Sequence, residues 1–331
     1  MIQSYGMKAG KTILGCLAIA LLLVGPALAM GSAPPTIEVV NPSVEYVTDY
    51  GLPGSGERQF YYPHDVKVSQ VGDLETGLGN IFVADSGNNR VERLERDGSF
   101  VYQFGSFGSA AGKFNTPVGI AVDFNYRIYV SEKDNDRIQL FDIRGNYLNY
   151  IATGEVNFRS LRDPAGMDVD PLGNLFVADS GNDRVLKLDD RGNFLLEVGG
   201  YGTGAGFFNR PLAVAADRDR YLFVADSGNN RVQKFDVEGR PVLSFSQTGD
   251  SGSLNSPQGL AVDDKLVYVS DSGNNRICLF TRQGKFVLAF GKKGSGKGEF
   301  NDPTGISLGP KGHIYIADTG NHRIVELLVK Y

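Results

Sequence analysis

The sequence predicts an all-β fold, a six-bladed β-propeller of four-stranded antiparallel blades closed into a ring by its own N-terminal strand. Three observations predict it. The phrase Val83-Ala84-Asp85-Ser86-Gly87-Asn88-Asn89-Arg90-Val91 returns five times, with its acidic residue at Glu132, Asp179, Asp226, Asp271 and Asp318, at intervals of 47, 47, 47, 45 and 47 residues. Each copy carries four short strand-like runs, the unit of a propeller blade, except the last, which has three. A run with the register of a fourth strand, Tyr46 to Tyr50, stands ahead of the first copy.

Each repeat begins with a small, apolar strand introduced by proline, as in Pro117-Val-Gly-Ile-Ala-Val and Pro257-Gln-Gly-Leu-Ala-Val, which suits a crowded centre. The irregular first member is Pro63-His-Asp-Val-Lys-Val. An alternating run such as Asn80-Ile-Phe-Val-Ala-Asp85 follows, and a Ser-Gly-Asn-Asn reversal turns it into a third strand. Gly and Asn tolerate positive φ there, and the strand-end carboxylate is expected to accept N–H bonds from the turn. The fourth strand reads Phe100-Val-Tyr-Gln-Phe104-Gly105 in the first copy, and Tyr46-Val-Thr-Asp-Tyr50-Gly51 matches it. The N-terminal strand is therefore expected to complete the blade of residues 303–329, removing an open edge.

The combined pattern, a glycine-rich loop, F-x-x-P-x-G-I-A-V, I-Y-V-A-D-S-G-N-N-R-I and G-x-F, resembles the NHL repeat over about residues 44–331. The resemblance implies a propeller, usually six-bladed. Function is less constrained, because the family includes interaction modules, sensor ectodomains, RNA binders and a metal-dependent lyase.

Residues 1–29 read as a secretory signal peptide: Lys8 and Lys11, an apolar run from Thr12 to Val24, Gly25-Pro26, and an Ala-Leu-Ala exit ending at Ala29. The apolar run is short for an uncleaved anchor. Residues 30–43 form a Pro-containing leader, and the propeller occupies 44–331. Loss of the two lysines takes the net charge from −5 to −7. An acidic surface argues against a nucleic-acid partner. Cys278 is then the one cysteine, placed on a third strand as a small buried hydrophobe. The expected product is an exported monomer, periplasmic or extracellular, without a membrane span.

The distance from the signature proline to the acidic residue is 15, 15, 15, 14 and 15 in copies two to six but 22 in the first, so residues 69–80 contain a seven-residue insertion. Strand direction puts the inter-blade loops and the Ser-Gly-Asn turns on one face. The ring of carboxylates (Asp85, Glu132, Asp179, Asp226, Asp271 and Asp318), each five residues before an arginine (Arg90, Arg137, Arg184, Arg231, Arg276 and Arg323), reads as a repeated structural ion pair. Whether the pairing lies within a hairpin or between blades is open.

Functional candidates are departures from the repeat. His64 and Asp65 replace an x-Gly pair at the channel mouth, where Gln258 and Thr304 are the other polar members; His322 stands where other copies have Asn or Asp. Phe107, Tyr201 and Phe207 lie on inter-blade loops. No catalytic set and no metal set stands out. The three histidines, with His313 toward the opposite side, do not converge as a zinc site requires, and a calcium site in the channel has no motif, so no cofactor is expected. The favoured function is non-enzymatic binding of a protein, peptide or glycan through the inter-blade face. The alternative is a metal-dependent lyase or lactonase-like hydrolase centred on the channel. Lys285, Lys292, Lys293 and Lys297 suggest a third possibility, an anionic polymer.

Overall fold

The structure, a computed structural model, describes residues 41–69, 80–151, 155–156 and 159–331. The signal segment and the first-copy insertion lie outside the described residues, apart from the insertion's flanks. Among the described residues no helix is long and apolar enough to cross a membrane.

Six four-stranded antiparallel sheets form the blades. Their first strands are Pro63–Val68, Pro117–Val122, Pro164–Val169, Pro211–Ala216, Pro257–Val262 and Pro303–Leu308. In blade 1 the sheet continues through Ile81–Asp85, Arg90–Leu94 and Phe100–Phe104. Blade 6 takes its fourth strand from Ser43–Tyr50, antiparallel to Arg323–Lys330, with Tyr46 opposite Leu327 and Tyr50 opposite Ile324. The N-terminal strand thus closes the ring.

Small and β-branched residues dominate the inner strands because those strands are covered on both faces by neighbouring blades. The core is accordingly divided among the seams. Each pair of adjacent blades encloses its own apolar cluster, such as Tyr129, Ile138, Met167 and Val177 between blades 2 and 3. Between blades 6 and 1 the cluster contains Tyr50, Phe60, Val66 and Tyr315. The residue three before each signature proline plugs a seam: Phe60, Phe114, Leu161, Phe208, Leu254 or Phe300, all buried. Gly105, at φ +90°, lies so close to the Phe114 ring that a Cβ would sit 2.2 Å from it. That contact explains the pairing of glycine and phenylalanine in the motif.

The ion pairs fall within hairpins. Arg90 meets Asp85 at 2.8 Å, Arg184 meets Asp179 at 2.6 Å and Arg323 meets Asp318 at 2.8 Å; Glu132 with Arg137, Asp226 with Arg231 and Asp271 with Arg276 repeat the arrangement. The carboxylate does not cap its own turn, contrary to the expectation above. Its second oxygen accepts an N–H from the incoming inter-blade loop, Tyr61 N at 2.7 Å on Asp85 and Arg162 N at 2.8 Å on Asp179. The arginine grips carbonyls of that same loop, Ser55 and Gly56 in the case of Arg90. A buried carboxylate needs several donors; the loop supplies the backbone N–H, and the turn contributes only a side-chain one, Asn88 Nδ2 at 2.7 Å on Asp85.

Candidate functional site

The first strands line a channel with a narrow neck and two wider mouths. The neck, about 30 Å³, is bordered by His64, Asp65, Lys67, Met167, Leu212 and Gln258. That is room for little more than one water. On the inter-blade face it opens into a mouth of about 380 Å³ lined by His64, Lys133, Asp163, Asp183, Arg210 and Gln258, among others. On the other face a mouth of about 420 Å³ contains Lys67, Asp123, Asp168, Asp217, Asp263 and His313.

His64 and Asp65 stand together at the neck, half-buried. The Val118 carbonyl lies 3.0 Å from His64 Nδ1 and accepts its proton, leaving the lone pair on Nε2. Burial lowers the imidazole pKa to about 4, despite that bond, with the Lys133 and Arg210 charges acting in the same direction. His64 is therefore neutral at physiological pH. Asp65 accepts N–H bonds from Val66 at 2.9 Å and from Ile120 of blade 2 at 2.8 Å. Burial nevertheless pushes its carboxyl up to about 7, against the pull of those donors and of Lys67, with Asp168 adding a small upward push.

These shifts make opposite contributions to stability. Asp65 contributes fully below 3.8, and its contribution is lost as pH rises through about 7; His64 contributes fully above 6.5, and its contribution is lost as pH falls through about 4. Between these limits folding takes up one proton at Asp65 and releases one at His64. Asp65→Asn is expected to be increasingly stabilised relative to wild type as pH rises from 4 to 6.5, and His64→Gln increasingly destabilised over the same window. Urea unfolding at a series of pH values measures both differences. Two variants whose differences from wild type stay constant with pH would remove the assignment.

Two of the sequence candidates occupy structural positions. Thr304 is turned into the blade 6 to blade 1 seam, where its hydroxyl donates to the His64 carbonyl at 2.6 Å and meets Thr319 Oγ1 at 2.6 Å. A bulge follows the signature proline in blade 5 as well, where Gln258 stays in the ring; what holds Thr304 in the seam is the pair of oxygen partners its hydroxyl finds there. His322 has φ +58° and accepts the Tyr62 N–H on Nδ1 at 3.0 Å, the bond that Asn89 Oδ1 accepts from Thr116 N in the next seam at 2.9 Å. It also stacks on Tyr61, with ring centroids 5.3 Å apart. Asn, Asp and His are the residues that enter the left-handed region most readily after glycine, and His322 closes the ring in that way.

Gln258 stays in the mouth and donates to Asp302 at 3.2 Å. Phe107, Tyr201 and Phe207 project from the inter-blade loops with 70%, 77% and 50% of their surface exposed. His313 belongs to the other mouth, its Nδ1 2.6 Å from Glu326 Oε1. His64, His313 and His322 thus occupy three separate environments. The buried Cys278 has its thiol pushed up to about 12, chiefly by burial, with Asp271 adding to it.

The structure adds residues that the repeat comparison passed over. Lys67 of blade 1 reaches Asp168 of blade 3 at 2.6 Å; burial opposes the ammonium charge, but Asp168 and Asp65 outweigh it and hold the Lys67 pKa above its ordinary value. Both residues fill the strand position that is Ala121, Ala215, Ala261 or Ser307 elsewhere, and that departure was the available signal. Lys133 replaces the turn serine. Ser180 and Thr319 donate from that position to the next blade's proline carbonyl at 2.7 Å, and Ser86, Ser227 and Ser272 make the same bond.

Comparison with known proteins agrees with this architecture. The NHL-repeat family matches residues 161–188 and 208–235, and a family described as a 6-bladed beta-propeller matches residues 243–327. No curated protein matches at a significant level. Among solved structures, a streptogramin B lyase is similar with a TM-score of 0.59 and 15% identity, over 88% of this chain and 98% of that one. A PQQ-bound aldose sugar dehydrogenase from Streptomyces coelicolor gives 0.58 and 14%, over 90% and 100%. An auxiliary nutrient binding protein from Bacteroides thetaiotaomicron gives 0.59 and 13%, over 87% and 76%. At these identities the likeness is one of fold. Six blades built on the D-S-G-N-N-R hairpin and the F-x-x-P seam plug, together with the matching segments, show a six-bladed β-propeller fold that carries NHL repeats.

Proposed function

We propose that the propeller is an exported, non-enzymatic binding module that engages a peptide, protein or glycan through its inter-blade face. The observation that carries this reading is the exposure of aromatic side chains at the tips of the loops on that face. Phe107, Tyr201 and Phe207 are joined there by Leu52, 67% exposed, on the equivalent loop ahead of blade 1, one residue before the position that matches Phe107. Rigid aromatic tips around a concave centre are efficient anchors, because they offer contact area with little side-chain entropy to lose. The nutrient binding protein named above has the same fold, which shows that the fold is compatible with binding. An enzymatic centre of three histidines finds no support in their separate placements.

The test compares wild type with a Phe107→Ala, Tyr201→Ala, Phe207→Ala variant on peptide and glycan arrays. Ligands retained by wild type are expected to bind the variant about tenfold or more weaker at an unchanged melting temperature, since anchors of this kind carry most of an interface's affinity. Equal retention by the two proteins would remove this face from consideration.

A further inference from the structure

We propose that the inter-blade mouth holds a small zwitterion, a free α-amino acid or dipeptide, with Lys133 and Arg210 taking its carboxylate and Asp163 and Asp183 its ammonium group. The inference deepens the reading of this face as a binding face and rests on it. The four side chains line a single cavity of about 380 Å³, within the range of small-molecule sites. Beneath it the neck narrows to about 30 Å³, so the ligand stops in the mouth.

Two cations and two carboxylates share this cavity, yet among the described residues they form no ion pair with one another or with any other group. Asp183 uses Oδ1 to accept the Arg210 backbone N–H at 2.6 Å, which leaves Oδ2 free, and the Asp163 carboxylate accepts no hydrogen bond. Elsewhere along the channel and its other mouth, opposite charges do pair: Lys67 with Asp168, Arg127 with Asp123 and Arg282 with Asp217. Charges of both signs held apart in one cavity are complementary to a ligand that carries both.

The residue types point the same way. Lys133 occupies the position where five blades place a Ser or Thr that ties the next blade down, so the seam between blades 2 and 3 gives up that bond and gains a cation at the mouth. Arg210 precedes its blade's proline, a position held elsewhere by Tyr62, Thr116, Asp163, Ser256 and Asp302, and is the single cation there. Departures from a repeat that cost a structural bond concentrate at functional positions. The floor of the mouth is His64, kept neutral, whose Nε2 can accept a hydrogen bond from an ammonium.

Calorimetry and thermal shift on the full chain test this with the free L-amino acids, alanyl-alanine, N-acetyl-alanyl-alanine and alanyl-alanine amide. At least one zwitterion is expected to bind at one site per chain and to raise the melting temperature. Removing either of its charges should weaken binding by about tenfold or more, as the loss of a charged hydrogen-bond partner does. Lys133→Ala with Arg210→Ala should abolish the preference for a free carboxylate, and Asp163→Asn with Asp183→Asn the preference for a free amine. Absence of binding by every zwitterion overturns the proposal, as does binding of the acetylated and amidated forms as tight as that of alanyl-alanine itself. If array ligands still depend on Phe107, Tyr201 and Phe207 in that event, the binding face survives and only the zwitterion is wrong; if both tests fail, the face reading falls too.

Discussion

A chain beginning at Gly51 is expected to melt about 10 °C or more below the protein that retains residues 43–50. The missing strand does three jobs in blade 6. It pairs with Arg323–Lys330 along its whole length, so its loss exposes a free edge. Tyr50 fills the seam with blade 1 among Phe60, Val66 and Tyr315, and loss of so large a buried side chain costs about 3–5 kcal/mol. At about 2–4 °C per kcal/mol for a domain of this size, that contact alone accounts for the shift. Asp49 holds Arg323 at 2.7 Å, the role that Gln103 plays for Arg90 and Glu197 for Arg184. A milder variant isolates one contact. Tyr50→Phe keeps the ring but removes the hydroxyl that meets Glu326, a buried carboxylate also bound by Tyr315 at 2.8 Å and His313, and is expected to cost about 1–3 kcal/mol. Thermal unfolding followed by near-ultraviolet circular dichroism reports both. Unchanged melting of the truncated chain would mean that the ring does not depend on this strand.

The parts legible in the sequence are those that repeat. Proline, glycine, the seam-plugging Phe and the strand-end Asp recur because every seam poses the same packing problem, and Tyr46 to Tyr50 was readable because Asp49 and Gly51 keep the register of Gln103 and Gly105. Side-chain direction on the innermost strands was not. A bulge after the signature proline, seen between Pro63 and Asp65 and between Pro303 and Ile306, interrupts the alternation there, and partners distant in sequence then decide direction: Thr304 enters a seam to reach the His64 carbonyl and Thr319, while His64 borders the neck. His322 looked like a candidate because its type differs from its counterparts; its backbone conformation and acceptor role are the same as theirs. The Lys67 to Asp168 pair spans blades 1 and 3, and no local pattern encodes a contact between residues 101 apart. The mouth charges were hidden for a different reason. Lys133 lies inside the most conspicuous motif of its repeat, in a copy that also departs from the others at Glu132 and Asp134, so that it does not stand out from its neighbours.

Arg184→Met is expected to cost about 3–5 kcal/mol, because Asp179 is then left charged, buried and short of its principal partner. Both side chains of this pair are fully buried, and Arg184 also holds Glu197 at 2.7 Å. Asp179→Asn alone should also destabilise but cost less, since the guanidinium keeps Glu197. The double variant should lose clearly less than the sum of the two, as pairs in direct contact do when both partners go. Arg231→Met in the next blade provides the internal control. Its pair with Asp226 has nearly the same length, 2.7 Å, but 16% of the arginine side chain reaches solvent, so the stranded carboxylate is better hydrated and the loss smaller. Urea unfolding of the four variants gives the ranking directly, and additivity in the double variant or equal costs at Arg184 and Arg231 would remove burial as the cause. The clamp also reaches the mouth. Asp179 accepts the N–H of Arg162, the residue before Asp163, so loosening it frees the backbone that positions one of the carboxylates proposed to hold the ligand's ammonium. Discrimination against an acetylated amine should therefore weaken more in Asp179→Asn than in Arg231→Met, whose clamp secures the neighbouring loop and reaches Asp183 only through the Arg210 backbone.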